Sequence, residues 1–225
     1  MQLHFTVESE RGERALPAAI DQLVIAGWAG RDRAAIEHHI DELAAIGVPR
    51  PSAVPLYYRV AAQQLTQDEQ VQVVGDGSSG EVEAFVFALG GMLYVSVASD
   101  HTDRKLEAHS VALSKQVCPK PVARAAWPMA EVQDHWDDLQ IRSRIVEHGA
   151  IVAYQDGTLA SLRTAQELIA GYSGTLADGT GMTCGTVGVI GGIRPAGVFE
   201  MELHDPRRGR TIRHRYAVDM LPEVA

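Results

Sequence analysis

The chain has 225 residues, a formal net charge of −9, 46% hydrophobic and 22% charged residues. That charge, without a cluster of Lys and Arg, argues against a nucleic-acid backbone as partner. No apolar run approaches the roughly 18 residues needed to cross a bilayer, so no membrane partner is expected. Two cysteines far apart in sequence, Cys118 and Cys184, exclude a disulfide framework or a C-x-x-C motif. The first residues lack the basic region and apolar core of a signal peptide, which gives the cytoplasm as the expected location. No repeat, low-complexity stretch or linker divides the chain, so residues 1–225 read as one α+β domain dominated by strands.

In chain order, alternation over 3–7 predicts a first strand, and the apolar run 23–28 a second. Asp32 reads as the cap of a helix over 33–46, with Ile36, Ile40 and Leu43 on one face and Gly47 as its stop. Residues 48–55 hold three prolines and cannot be regular helix; 56–60 read as extended. A strand at 70–74 ends in the turn 75–80. Residues 81–89 and 92–99 form a hairpin around Gly90-Gly91. Residues 106–114 read as helical. An amphipathic helix is expected over 130–147, carrying Val132, Trp136, Leu139 and Ile145. A second hairpin is expected over 150–162, turning at Asp156-Gly157, then a short helix over 164–170. The basic stretch from Arg207 to Arg215 alternates with apolar residues, so it reads as strand; two strands, 197–204 and 210–218, close the chain.

Glu81 and Glu83 lie one residue apart on a predicted strand, so both side chains point to the same face. Asp100, at the end of the next strand, can meet them. Three convergent carboxylates repel one another unless a cation sits between them, and an all-oxygen set suits Mg²⁺, Mn²⁺ or Ca²⁺ rather than zinc. The bland alternative is exposed charge on an edge strand. Glu83 shares its parity with Phe85, however, and a buried carboxylate needs a compensating partner. The segment Asp100-His101-Thr102-Asp103-Arg104 reads equally well as a polar turn. Lys115, placed shortly after it, can hold an anionic substrate, though most lysines are merely solvated. His39 and Glu42 share a helix face, as a general base and the carboxylate that orients it would, or as a plain surface pair. The loop 179–188 has the glycines and hydroxyls to cradle an anion but lacks the P-loop lysine. Cys118 has no base nearby and reads as a buried, inert thiol.

Taken in order, these pieces resemble the fumarylacetoacetate hydrolase superfamily. His39-Ile40-Asp41-Glu42 is similar to its His-x-x-Glu element, followed by Pro49-Arg50-Pro51 and Pro55-Leu56-Tyr57-Tyr58-Arg59. Gly80-Glu81-Val82-Glu83 is similar to its metal-binding Glu-x-Glu strand, and Asp100 to Arg104 to its Asp-x-(Ser/Thr)-x-Arg segment. Leu113-Ser114-Lys115 with Cys118-Pro119 is similar to the stretch that supplies its active-site lysine. Cys184-Gly185-Thr186-Val187-Gly188-Val189 resembles its Thr-Gly-Thr-Pro-x-Gly-Val loop. Cys184 and Val187 depart from that loop, Arg59 stands where lysine is usual, Ala84 where leucine is common, and the gap from Glu83 to Asp100 is short. These departures mark a divergent bacterial branch.

The resemblance implies a mixed β-sandwich roll, with residues 1–24 as an N-terminal strand and lead-in to a catalytic region at 25–218. It also implies a homodimer, and a divalent cation, Mg²⁺ or Mn²⁺ with Ca²⁺ as a further option, held by Glu81, Glu83 and Asp100. Lys115 and Thr186 would hold a small anionic substrate, with Arg104 beside them and Arg59 clamping a distal carboxylate. His39, oriented by Glu42, would activate water. The expected activity is hydrolysis of a C–C bond in a 2-oxo acid or β-diketone of the acylpyruvate kind, through an enolate held by the metal. The alternatives are decarboxylation or keto–enol isomerisation of oxaloacetate-like acids on the same site, or a non-catalytic binding protein that keeps the fold.

Overall fold

The computed structural model describes residues 1–45 and 50–224. β1 (Gln2–Ser9) alternates buried Leu3, Phe5 and Val7 with exposed neighbours and turns back into β2 (Gly12–Ala19). The sequence reading missed β2 because an edge strand has one solvated side and tolerates Pro17 there. β3 (Gln22–Gly27) is buried on both faces. α1 (Arg33–Ala45) starts at Asp32, whose Oδ1 accepts from the Ala34 and Ala35 N–H groups. Its predicted stop, Gly47, lies outside the described residues.

β4 (Leu56–Val60), β5 (Leu65–Thr66), β6 (Gln70–Val74) and β7 (Ser78–Ser79) lead into the predicted hairpin, β8 (Val82–Leu89) and β9 (Met92–Ser99). After β10 (Thr102–Asp103) the predicted single helix is two, α2 (Arg104–Glu107) and α3 (Val111–Gln116). Each has its own cap: Asp103 accepts from the Leu106 N–H, and Ser110 from the Leu113 N–H. β11 (Lys120–Pro121) and β12 (Ala125–Pro128) follow.

The helix expected over 130–147 is absent. Met129–Glu131 and Gln133–Asp138 form short 3₁₀ turns, and β13 (Gln140–Glu147) is a strand. Val132, Trp136 and Leu139 do share a buried side, which mimics helical spacing; but Ile141, Ser143 and Ile145 are buried with period two. The second hairpin is also displaced. β14 (Ala150–Thr158) runs straight through Asp156-Gly157 and pairs with β13, turning at His148-Gly149. Both turn residues have positive φ, 49° and 81°, as a type I′ turn requires. α4 (Ala165–Tyr172) carries a capping box between Thr164 and Glu167. β15 (Thr180–Thr183), β16 (Val198–Asp205) and β17 (Arg210–Leu221) complete the fold.

The strands form a mixed eight-stranded sheet, β2-β1-β12-β9-β8-β15-β3-β4, and a five-stranded sheet, β14-β13-β16-β17-β6. Parallel pairs, β1 with β12, β15 with β3 and β17 with β6, sit among antiparallel ones. This is the expected strand-dominated α+β architecture. β8 lies centrally and serves two cores. Val82, Ala84, Val86 and Ala88 pack with Trp127, Ile141 and Phe199 in one; Phe85 and Phe87 pack with Phe5 and Leu23 in the other. Among the described residues no helix is long and apolar enough to cross a membrane.

Candidate metal centre

The hairpin β8–β9 assembles the carboxylates. Val82 pairs with Ser99, Glu83 with Ala98, and the Asp100 N–H donates to the Glu81 carbonyl at 2.9 Å. Glu81 and Asp100 therefore flank the open end of the hairpin, with Glu83 one step inside. Donor oxygens of the three lie within 4.8 Å of one another, the one such group among the described residues. Glu83 is 3% exposed and Asp100 1%. Burial first, then the charges of Asp100 and Glu81, push the Glu83 carboxyl up to about 8. Its Oε2 accepts from the Gly185 N–H at 2.8 Å. Gly185 has φ +85°, and a Cβ there would come within 2.7 Å of the Ala29 Cβ, so the approach of this N–H requires glycine.

Cations surround the triad. Lys115 Nζ lies 2.5 Å from Asp100 Oδ2, and Lys120 Nζ 3.3 Å from Oδ1. Lys120 is fully buried and also donates to the His101 carbonyl. Burial opposes the Asp100 charge, but Lys115 and then Lys120 hold its pKa below the usual range. Burial likewise opposes the Lys115 charge, yet Asp100 and Glu81 hold its pKa above the usual lysine value. For Lys120 burial wins and the pKa is lowered. Arg104 places Nη2 3.1 Å from Glu81, and donates to Ser79 Oγ at 2.7 Å and to Glu107 at 3.0 Å. Asp100 Oδ1 is buried without a hydrogen bond. A buried carboxylate oxygen that faces Lys120 without a hydrogen bond, two further carboxylates beside it and an all-oxygen donor set together fit a hard divalent cation.

The triad opens into a cavity of about 700 Å³ that Lys115, Arg104 and Thr186 also line. The structure thus brings together six of the residues singled out from sequence. Thr186 Oγ1 donates to the Val82 carbonyl and accepts from Gln155 Nε2, both at 2.7 Å, so its hydroxyl is engaged within the protein. Arg59 is not among the lining residues. Alternation along β4 sends Tyr58 to the cavity, with Lys115 over its ring, while Arg59 donates to the Tyr172 hydroxyl. His39 and Glu42 lie on α1, but their side chains fall outside the described residues. Three cavity features escaped the sequence reading: Trp28, held at φ 59°, Tyr58 and Glu107. Lys120 escaped it too; burial of a lysine follows from contacts distant in sequence and leaves no local signature. Cys118 is buried as expected, and burial pushes its thiol up to about 11. A second cavity, about 790 Å³ and lined by Arg124, Glu200, Arg213 and neighbours, contains none of the three carboxylates.

A family model described as "Protein of unknown function (DUF2848)" matches residues 26–216. No curated protein matches the sequence. Solved structures of similar shape include 2-keto-3-deoxy-D-arabinonate dehydratase complexed with magnesium and 2,5-dioxopentanoate. It is 17% identical with a TM-score of 0.66, over 94% of this chain and 78% of that one. A fumarylacetoacetate hydrolase family protein from Yersinia pestis CO92 is 17% identical with a TM-score of 0.62, over 96% of this chain and 100% of that one. Yeast ynq8, a fumarylacetoacetate hydrolase family protein, is 14% identical with a TM-score of 0.65, over 92% and 96%. At these identities the likeness is one of fold, and it agrees with the resemblance drawn from the motifs.

Proposed function

Because the chain belongs to the DUF2848 family, whose description assigns no activity, its function has to be argued from the site, and we propose a divalent-metal-dependent hydrolase. It cleaves a C–C bond in a 2-oxo acid or β-diketone. The observation that carries this reading is the buried triad of Glu81, Glu83 and Asp100, opening beside Lys115 into a cavity of about 700 Å³. The fold shared with a dehydratase complexed with magnesium and a dioxo acid supports it. Bound by the triad, Mg²⁺ or Mn²⁺ supplies Lewis acidity to a substrate carbonyl.

The protein's own groups do the rest. Lys115, kept charged by Asp100, donates to the substrate's carboxylate or oxyanion. The main-chain N–H of Thr186 is the proposed second donor, since its hydroxyl is committed elsewhere. Arg104 acts on Glu81, fixing one carboxylate while Lys115 and Lys120 fix another. The motif resemblance gives His39, with Glu42, the role of taking the proton of the attacking water. The working form is a homodimer in the cytoplasm, which light scattering and fractionation check.

The test is calorimetric titration of Mg²⁺ and Mn²⁺ into the wild type and Glu83→Ala, with circular dichroism on both. Binding lost in a folded variant supports the triad; no binding by the wild type removes the enzyme reading. Acylpyruvates and oxaloacetate are then assayed for cleavage. A lyase or isomerase would share every group except the base, and the fold shared with a dehydratase favours it as the second reading. His39→Ala separates the two: hydrolysis falls by about 10²–10⁴-fold with its base, whereas a lyase keeps its rate.

A further inference from the structure

The lining of the cavity points to a substrate class, on the premise that the proposed binding of a 2-oxo acid at the triad holds. Beyond the triad the wall is largely apolar, with Trp28, Ile36, Leu162, Val187 and Ile193 among its members. Ile193 is 54% exposed, so apolar surface reaches the solvent side of the cavity. Among the described lining residues the cations are Lys115 and Arg104, and both are already paired, with Asp100 and with Glu81 and Glu107. The remaining charge of the lining, Asp32, is negative. Arg59, the cation the sequence offered for a distal carboxylate, is turned to Tyr172.

A substrate anchored by its 2-oxo carboxylate at the triad would lay its far end among these apolar side chains. A second carboxylate there would lose water without gaining an unpaired cation among the described lining residues, and the one lining charge left over, Asp32, is negative. That loss is costly, whereas each methylene buried against such a wall is favourable. A volume of about 700 Å³ falls in the range of cavities that enclose whole ligands far larger than pyruvate. We infer that the site takes 2-oxo acids whose distal part is an uncharged apolar chain or ring, and discriminates against dicarboxylates.

The test is calorimetric titration of the Mn²⁺-loaded full chain with 2-oxooctanoate and with 2-oxooctanedioate, equal in carbon number and differing in the terminal carboxylate. The expected result is binding of 2-oxooctanoate tighter by at least about tenfold, weakening by about threefold to fourfold per methylene removed. In Ile36→Arg the gap should narrow through stronger binding of the diacid. A diacid that binds the wild type as tightly as the monoacid, or more tightly, overturns the inference while leaving the metal site intact. If Mn²⁺ binds and neither acid does, the 2-oxo acid reading of the site falls, and the tail preference with it. The wild-type comparison decides the matter even if Ile36→Arg does not fold.

Discussion

Glu83 concentrates the tension of the site. Its carboxyl, near 4.5 in an unfolded chain, stands at about 8 in the folded apoprotein because of burial and its neighbours' charges. The sign of two consequences follows from linkage. The folded apoprotein binds the Glu83 proton more tightly than the unfolded chain does. This contribution to stability is therefore complete below about pH 4.5 and is lost as pH rises through about 8. The apoprotein should melt at lower temperature at pH 8 than at pH 5, and Glu83→Gln should flatten that slope in thermal scans. A cation, in turn, must displace the same proton. Affinity for Mg²⁺ or Mn²⁺ should fall by up to about tenfold per pH unit as pH drops below about 8, measured by titration at a series of pH values. A metal affinity independent of pH between 6 and 8 would contradict this account. At this scale the sequence was informative where chemistry is local: the parity of Glu83 with Phe85 already demanded a partner for its charge. It was silent on Lys120, and on the side of β4 that Arg59 takes, because the direction of a side chain there depends on which face the sheet covers.

Among elements, the hairpin β8–β9 was legible because Gly90-Gly91 separates two apolar runs of equal length. α1 and α4 were legible from their caps, Asp32 and Thr164. Residues 130–147 were not, because two 3₁₀ turns place Val132, Trp136 and Leu139 on one buried side at nearly helical spacing before period two takes over. Asp156-Gly157 carries a turn signature that the sheet overrides: it pairs inside β14 while His148-Gly149 supplies the positive φ. The caps give a clean test. Thr164→Ala removes one half of the capping box and should cost about 1 kcal/mol, seen as a lower denaturant midpoint with metal affinity unchanged. Gly181→Ala should cost more. A Cβ there would overlap the edge of the Phe85 ring, in the middle of the large sheet, where the buried ring has no room to withdraw.

For the whole molecule, Glu83 sits on β8, the strand that serves both cores, and a cation bound only by the folded chain would stabilise it by mass action. Raising Mg²⁺ or Mn²⁺ to 100 times its dissociation constant should add about 2.7 kcal/mol, visible as a rise in Tm that Glu83→Ala abolishes. The placement of every side chain of β8 also bears on how such a protein can be altered. Val82 to Ala88 have no outward face on which a neutral change could sit, so random mutagenesis of this strand should yield mostly unfolded chains. Ile36 and Ile193, by contrast, line the cavity while retaining solvent contact. A directed-evolution library that leaves the hairpin untouched and diversifies those two positions would sample new specificities at little risk to folding.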